Sequence, residues 1–450
     1  MAELQAGTAV ANITPPVRTH LAGYAGRADA SRGIHDDLMA RALVLDDGAT
    51  RLAIVACDLL ALDRDLVAHI RERAAEEASI PPGHIMLACS HTHSGPSVPH
   101  LRRMGEVDRA YLETLERKIA GAMYEACSRL APARCGFGSG AVNIGINRRQ
   151  PHDGATILGV NAAGPVDPQV GVLRVDHTSG ELLAVAFNYA CHAVVMGGDN
   201  LMISADYPGA AAGFVARALG DRVTSLFLAG CGGDVNPVSR GSFDQVDRLG
   251  GILGAEVVRV TLETKTSVRA PLRAASEVID LPVSRLPNRS RAREILTQCR
   301  AELRQAEAAG RRGPELDAEV ASVEWAEALL EAVRKRGQDL TEDYEVQVFR
   351  VGSGALVALP SETFVEIGLD IKRRSPFATT LTVGTANGCI GYLPTEAAHA
   401  EGGYEVESAP RFYGLAAPAP TAAAMVEETA AALLQRVRRE RRKRGRTGRS

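Results

Sequence analysis

The stretch Met86-Leu-Ala-Cys-Ser-His91-Thr-His93-Ser-Gly-Pro96 is an apolar run that ends abruptly in two histidines. Residues 85–89 are apolar and bounded by turn-forming residues, a pattern that predicts a buried strand. Because side chains two apart on an extended backbone point the same way, we expect His91 and His93 to share one face beyond this strand. Such a pair suits a metal ion, or one ligand and one proton carrier, although the spacing alone also fits a hydrogen-bonded surface pair.

The composition is that of an ordinary globular protein. The chain has 450 residues, of which 46% are hydrophobic and 23% charged, with a formal net charge of -3. This balance argues against nucleic acid as the main partner, and no run approaches the roughly 18 apolar residues of a membrane span. The eight cysteines show no CxxC spacing and the N-terminus shows no secretory signal, so we expect free thiols in a cytoplasmic protein.

Strand-like and helical patterns alternate along the chain and predict a mixed α/β fold, with central mixed β-sheets flanked by helices. The predicted strands cover residues 42–45, 52–57, 85–89, 133–142, 170–175, 182–189, 223–228, 344–351, 355–359 and 380–384. The predicted helices cover residues 65–78, 109–128, 207–219, 245–264 and 417–436, with a further helix opening at Pro360-Ser-Glu362. We expect a single domain over residues 1–450.

Two segments are predicted to stand apart from the core. Residues 289–337 shift to Ala, Glu, Arg and Leu with a helical period and a break at 310–314, which predicts a helical hairpin insertion packed on one side. The basic residues of 437–450 predict a disordered, solvated tail, with binding to an anionic surface as the alternative. The sequence leaves a homo-oligomer open.

Polar side chains follow several of the predicted strands. The residues that lie just beyond a strand-like run are His91, His192, Asp234, Glu362 and Tyr392. Loops at the carboxyl ends of strands can converge on one crevice. The organisation of the chain is therefore compatible with a single convergent site.

A series of short motifs occurs in a fixed order over nearly the whole chain. They are Ala11-Asn-Ile-Thr-Pro-Pro16, Gly33-Ile-His-Asp36, Ala40-Arg-Ala-Leu-Val-Leu45, Ser90-His-Thr-His-Ser-Gly-Pro96, Asn147-Arg148, Asn188 to His192, Gly233-Asp-Val-Asn-Pro237, Pro360-Ser-Glu362 and Tyr392 to Tyr404. With this ordered set the chain resembles the neutral (non-lysosomal) ceramidase family in its N-terminal catalytic domain. The resemblance implies a zinc-dependent amidohydrolase that cleaves the N-acyl bond of a lipid-like substrate.

The resemblance also implies roles for individual residues. One zinc ion per chain is expected, and the positions that match the family's ligands are His91, His192, Glu362 and Tyr392. The residues that match the lining of the family's active site are His93, Arg148 and Tyr404. We expect His93 to carry a proton from water to the leaving amine, and Arg148 and Tyr404 to hold the carbonyl oxyanion. Asp234 is expected to hold a histidine in place, or to shape a glycine-rich turn.

The chain departs from the family at Asn236, where the family has a serine that some accounts make the nucleophile. A covalent serine route is therefore closed at this position, and Cys231 nearby is a weaker candidate nucleophile. The chain ends where family enzymes continue into an immunoglobulin-like domain, which argues against activity on membrane-embedded ceramide and against stable membrane insertion. The alternatives are hydrolysis of an ester, a lactam or an N-acyl sugar or amino acid, or a non-catalytic metal-binding scaffold.

Overall fold

Mixed β-sheets flanked by helices form the fold, as the sequence predicts. The structure, a computed structural model, describes residues 3–27 and 29–439. Its strands are β1 (Gln5–Asn12), β2 (Gly33–Ile34), β3 (Met39–Asp46), β4 (Arg51–Cys57), β5 (Ile85–Cys89), β6 (Ala131–Ala141), β7 (Gly145–His152), β8 (Ala155–Asn161), β9 (Gln169–His177), β10 (Leu182–Tyr189), β11 (Met202–Ile203), β12 (Thr224–Ala229), β13 (Val235–Pro237), β14 (Leu272–Pro282), β15 (Thr341–Val351), β16 (Gly354–Ala358), β17 (Glu362–Thr363), β18 (Thr380–Val383) and β19 (Tyr392–Leu393). Its α-helices are α1 (Arg64–Ala78), α2 (Arg109–Ser128), α3 (Asp206–Leu219), α4 (Phe243–Glu263), α5 (Arg289–Ala308), α6 (Asp317–Arg336), α7 (Val365–Arg374), α8 (Glu396–Glu401), α9 (Pro410–Tyr413) and α10 (Ala422–Arg438).

The largest sheet has the strand order β12-β10-β9-β6-β1-β3-β4-β5. Its β4–β5 and β10–β12 pairs are parallel, and its other pairs are antiparallel. A second sheet has the order β14-β15-β16-β18, in which β16 and β18 are parallel. Apolar side chains of both sheets, among them Leu226, Phe349 and Leu356, pack in one shared core, so burial of this apolar surface holds the sheets against each other.

The carboxyl ends of strands from both sheets meet in one place. The amide of Cys89 at the end of β5 donates to the carbonyl oxygen of Thr385 (3.2 Å), and that of Gly384 donates to Ala229 at the end of β12 (2.9 Å). The side chain of Asn188 on β10 crosses between the sheets, because its Nδ2 donates to the carbonyl oxygens of Leu228 (2.8 Å) and Thr382 (3.0 Å). The loops that follow these strands are therefore brought together, as the sequence organisation allowed.

The sequence located some elements better than others. The predicted strand over 85–89 and helix over 109–128 match β5 and α2 at both ends. The helix predicted from residue 417 begins only at Ala422, because Pro418 and Pro420 disfavour helical backbone in the residues before them. Strand β14 and the β7–β8 hairpin were not predicted.

Helices α5 and α6 pack on each other and contact loops of the main body. Nε1 of Trp325 on α6 donates to the carbonyl oxygen of Leu415 (2.7 Å), and Glu324 pairs with Arg103 (2.5 Å). Of the basic tail predicted over 437–450, residues 437 and 438 belong to α10, and the part from residue 440 onward lies outside the described residues. The eight cysteines are all free thiols, and no helix in the described ranges is long and apolar enough to cross a membrane.

Candidate metal centre

His91 lies directly after β5, but not on extended backbone. Its φ of 63° is in the left-handed region. The two histidines do lie together, but the extended backbone from which we predicted this is not present at His91. The turn arises because the amide of His91 donates to the carbonyl oxygen of Leu59 (2.9 Å), which draws the chain toward the loop after β4. Nδ1 of the buried His91 ring then donates to the carbonyl oxygen of Leu60 (2.9 Å).

His93 and His192 are oriented in the same manner by backbone carbonyl groups. Nδ1 of His93 donates to Gly23 (3.1 Å), and Nδ1 of His192 donates to Gly232 (2.8 Å). Gly23 has φ of 95°, and a Cβ at this position would lie 2.3 Å from Nδ1 of His93, so only glycine fits against the ring. Since a carbonyl oxygen can only accept, these bonds assign the proton to Nδ1 and leave Nε2 of each ring with a lone pair.

The three imidazoles form a cluster, and two of them contact the carboxylate of Glu362. Ligand atoms of His91, His93 and His192 all lie within 4.8 Å of one another. Oε2 of Glu362 lies 3.2 Å from Nε2 of His91 and 3.0 Å from Nε2 of His192, and the Nε2 atoms of His91 and His93 are 3.4 Å apart. Acceptor atoms thus face acceptor atoms in a buried place, an arrangement that a divalent cation satisfies. The donor set fits a metal ion.

The protonation states agree with this interpretation. Burial, followed by the neighbouring charges of His91 and His192, holds the pKa of His93 well below its usual range. Burial and then the charge of Arg148 lower the pKa of His192 to about 4. Burial alone would raise the pKa of the Glu362 carboxyl, but the charges and hydrogen bonds of the two adjacent histidines bring it well below its usual range. At neutral pH the imidazoles of His93 and His192 are therefore neutral and the carboxylate of Glu362 is ionised.

Glu362 lies on a two-residue strand rather than in the first turn of a helix. The helix predicted to open at Pro360-Ser-Glu362 begins only at Val365, so that prediction was wrong. Glu362 instead pairs in parallel with Tyr392, because β17 and β19 form a small sheet of their own. The other carboxylate oxygen of Glu362, Oε1, accepts a hydrogen bond from the hydroxyl of Tyr413.

Two tyrosines form one wall of the cluster. The ring of Tyr392 stacks on that of His192, with centroids 6.4 Å apart and planes at 17°. Burial raises the pKa of Tyr392 well above its usual range, so its hydroxyl is protonated when no cation is bound. Tyr404 packs edge-on against Tyr392 at 5.9 Å, and its ring centroid lies 6.0 Å from the guanidinium carbon of Arg148.

Arg148 lies on β7 with its guanidinium buried beside the histidines. Nη1 lies 3.2 Å from Nε2 of His192 and donates to Oδ1 of Asn236 (3.4 Å), while Nε donates to Oε1 of Glu405 (2.9 Å). Nη2 is buried and has no hydrogen-bond partner among the described residues. A buried donor without a partner is costly, so this atom is a candidate contact for a bound molecule.

Asp234 and Cys231 lie in the glycine-rich loop after β12 but do not touch the histidines. Oδ1 of Asp234 accepts from the amide of Val365 (2.8 Å) and Oδ2 accepts from Nδ2 of Asn147 (2.9 Å), so its carboxylate orders the loop instead of holding a histidine. The expected role of Asp234 toward a histidine is corrected accordingly. Burial raises the pKa of Cys231 to about 11, which makes its thiol a poor nucleophile at neutral pH.

Two residues that shape the centre were missed in the sequence. Glu405 binds both Arg148 and Arg149, at 2.9 and 2.7 Å. Two adjacent arginines that become buried next to a site need a carboxylate partner. The pair Arg148-Arg149 was therefore a signal in the sequence from which a partner such as Glu405 could have been expected. Tyr413 carries no spacing or motif that distinguishes it from a core tyrosine, and only the fold brings it to Glu362.

Comparison with known proteins agrees with the resemblance drawn from the motifs. The family model described as "Neutral/alkaline non-lysosomal ceramidase, N-terminal" matches residues 4–247. Similar proteins include a neutral ceramidase of Pseudomonas aeruginosa, 29% identical over 200 residues that cover 42% of this chain and 29% of that protein. Neutral ceramidase A of Dictyostelium discoideum is 26% identical over 263 residues, which cover 53% of this chain and 36% of that protein. The chain therefore matches about a third of the length of these relatives.

The fold itself has a solved counterpart. The crystal structure of neutral ceramidase from Pseudomonas aeruginosa aligns with a TM-score of 0.72 at 20% identity, covering 97% of this chain and 75% of that chain. A structure titled "Ceramidase complexed with C2" aligns with the same TM-score at 19% identity, covering 97% and 76%. The architecture described above is thus the fold of these ceramidases.

Proposed function

Because the chain belongs to the neutral/alkaline non-lysosomal ceramidase family, we propose that it is a zinc-dependent hydrolase that cleaves an N-acyl amide bond with water. The observation that carries this proposal is a cluster of three Nδ1-protonated imidazoles, two of which contact the ionised carboxylate of Glu362. A merely structural cluster of this kind would bury unpaired lone pairs against a negative charge, at a cost in stability.

In this proposal His91, His192 and Glu362 hold the ion, with Tyr392 as a displaceable fourth ligand. The support is that Oε2 of Glu362 lies within 3.2 Å of both imidazole nitrogens, whereas Tyr392 shares the short β17–β19 pairing with Glu362. A zinc ion held there supplies a water of lowered pKa and polarises the amide carbonyl group.

His93 is the proton carrier of the proposed reaction. Its Nε2 lies 3.4 Å from Nε2 of His91 but makes no hydrogen bond to Glu362, so it sits at the edge of the cluster. It would accept a proton from the water whose oxygen attacks the amide carbon, and deliver that proton to the nitrogen as the C–N bond breaks. The products are a carboxylic acid and an amine.

Arg148 and Tyr404 stabilise the developing negative charge on the carbonyl oxygen. The partnerless Nη2 of Arg148 is the donor available for this role, and the salt bridge of its Nε with Glu405 fixes the guanidinium before substrate binds. Tyr404 lies on the same side, with its ring centroid 6.0 Å from the guanidinium carbon, and would add its hydroxyl as a second donor. Donors fixed in advance are the usual source of most of the rate acceleration in amide hydrolysis.

Purified protein assayed on fluorogenic N-acyl amides, with and without a chelator, tests the proposal. We expect turnover that a chelator abolishes and added zinc restores, with close to one zinc per chain. Asn236→Ser is the matched variant, since it restores the hydroxyl that the family carries. A zinc-loaded native chain that cleaves no amide until that serine is present would overturn the water mechanism.

A further inference from the structure

Two buried arginines lie on one side of the proposed active site and are paired with glutamates. Arg148 and Arg149 are both buried and share the buried carboxylate of Glu405, at 2.9 and 2.7 Å. Arg149 also reaches Glu401 at 3.1 Å, but that carboxylate is more than half exposed. The charges of Arg148 and Arg149 are therefore balanced by carboxylates of the chain, as buried charges ordinarily are.

A further arginine near the site, Arg240, has no carboxylate partner among the described residues. Arg240 is exposed, and its hydrogen bonds in the described part of the chain go to the carbonyl oxygen of Val194 (2.7 Å) and the hydroxyl of Tyr24 (3.1 Å). Neither partner is charged. The ring of Tyr24 packs against that of His93 with centroids 5.0 Å apart. Arg240 therefore contacts Tyr24, which in turn contacts His93, the residue that would protonate the leaving amine.

Asn236 contributes an amide donor four positions before Arg240. Its Oδ1 accepts from Nη1 of Arg148 (3.4 Å), so its Nδ2 is turned away from the guanidinium, and it has no hydrogen-bond partner among the described residues. A hydroxyl at this position could both donate and accept, whereas an amide whose oxygen is held by Arg148 has only its N–H donors left to offer. An oriented N–H donor beside an arginine is a typical arrangement for binding a carboxylate.

We propose that the substrate is an N-acyl amino acid, whose carboxylate lies on the amine side of the scissile bond and is bound by Asn236 and Arg240. This inference rests on the proposed amide hydrolysis. The carboxylate is assigned to the amine side because Arg240 bonds Tyr24, and the ring of Tyr24 packs on His93, which would protonate the leaving nitrogen. A neutral, hydroxyl-bearing amine would leave Arg240 without a charged partner, while a carboxylate would pair with Arg240 and accept charge-assisted hydrogen bonds.

The test compares N-decanoylglycine with N-decanoylglycinamide, which differ only in the charge of the group that the proposed subsite binds. We expect kcat/KM of the zinc-loaded enzyme to favour the acid by about tenfold or more. Asn236→Asp, which places a negative charge at the subsite, and Arg240→Gln should each reduce that ratio toward one, and Arg240→Lys should retain part of it. Arg222→Gln is the control, because Arg222 lies before β12, at the opposite end of that strand from the site, and should leave the ratio unchanged.

A binding measurement separates this inference from the hydrolase proposal. Calorimetric titration of the two compounds into His93→Ala protein should give about tenfold tighter binding of the acid, with the difference lost in the His93→Ala, Arg240→Gln double variant. Equal affinity for the two compounds would overturn the carboxylate subsite even if both are hydrolysed by the native enzyme. Selective binding of the acid without any hydrolysis would support the subsite and overturn the hydrolase proposal.

Discussion

The hydroxyl of Tyr413 donates a hydrogen bond to Oε1 of Glu362, while Oε2 of the same carboxylate faces Nε2 of both His91 and His192. One oxygen of the carboxylate is thus held by the protein and the other is left for the histidine cluster. The two partners are 51 residues apart in the chain. The short helix α9, which ends at Tyr413, therefore sets the orientation of a proposed ligand that belongs to a different part of the fold.

Tyr413→Phe should weaken metal binding without removing any proposed ligand. Loss of the hydroxyl leaves Oε1 of Glu362 buried without its partner and frees the carboxylate to rotate, and outer contacts of this kind typically carry 10–100-fold in metal affinity. We expect the zinc dissociation constant to rise by about tenfold or more, measured by competition with a chromogenic chelator. Turnover at saturating zinc should fall less than metal affinity does.

Tyr111→Phe is the matched control for that measurement. Its hydroxyl donates to the carbonyl oxygen of Ile13 (2.6 Å) in a different part of the core, so this variant also loses one buried tyrosine hydrogen bond. It should lose about 1 kcal/mol of stability and keep the native zinc affinity. If both variants bind zinc as tightly as the native protein, Tyr413 does not position Glu362.

Alanine substitution of the three histidines should separate ligands from the proton carrier. His91→Ala and His192→Ala each remove a contact to Oε2 of Glu362 and should lose both bound zinc and turnover. His93→Ala should retain most of its zinc but lose turnover by 10²–10⁴-fold, the usual contribution of a positioned proton carrier. Metal content by elemental analysis, set beside kcat, distinguishes the two classes.

A loss of zinc from His93→Ala would indicate a different set of metal ligands. Ligand atoms of all three rings lie within 4.8 Å, so a three-histidine site is the competing geometry. Loss of zinc from His93→Ala to the same extent as from His91→Ala would make His93 a ligand and would leave the proton-transfer role unassigned.

Removal of the metal should lower thermal stability. Without a cation, buried imidazole lone pairs face an ionised Glu362, and a ligand present at 100 times its dissociation constant stabilises the folded state by about 2.7 kcal/mol. We expect the melting temperature of the zinc-loaded protein to drop by several degrees on chelation. The His91→Ala variant should melt at the same temperature with and without chelator. An equal drop in melting temperature in that variant would show that the chelator acts at a site other than the proposed zinc centre.

Much of the fold was predictable because its strands and helices are long and strongly patterned. Strand β5 and helix α2 were located to the residue, since an apolar run between turn residues and an amphipathic period over five turns have few alternative interpretations. Strand β14 was missed because exposed polar residues interrupt its apolar positions, and what fixes it is pairing along its whole length with β15.

The site was predictable in its residue types but not in its geometry. The histidine spacing and the family motifs pointed to His91 and His192, yet the left-handed turn at His91 depends on contacts with the loop after β4. Glu362 and Tyr392 meet through a pairing of two residues per strand, which is too short to leave a period in the sequence. Tyr413 reaches the site only through tertiary packing, which local pattern does not encode.

The pair Glu427 and Asp370 predicts a pH dependence of stability that is independent of the metal centre. Glu427 on α10 lies beside Asp370 on α7, and Arg374 contacts both carboxylates, at 3.6 and 2.5 Å. Burial and then the charge of Asp370 raise the pKa of Glu427 to about 7. The folded state therefore keeps a proton that the unfolded chain releases near pH 4.5, so the free energy of unfolding should fall as the pH rises from about 4.5 to 7.

Glu427→Gln should remove this loss, because the amide cannot ionise at any pH in the range. In urea unfolding at pH 5, 6, 7 and 8, we expect the native protein to lose about 1 kcal/mol more than the variant between the lowest and highest pH, after allowance for partial exposure of the side chain. Glu428→Gln is the control, since Glu428 is exposed on the same helix and should follow the native curve. Because histidines elsewhere titrate equally in all three proteins, the difference between curves isolates Glu427. Native and Glu427→Gln curves that stay parallel from pH 5 to 8 would show that Glu427 is ionised throughout and that Arg374 outweighs Asp370.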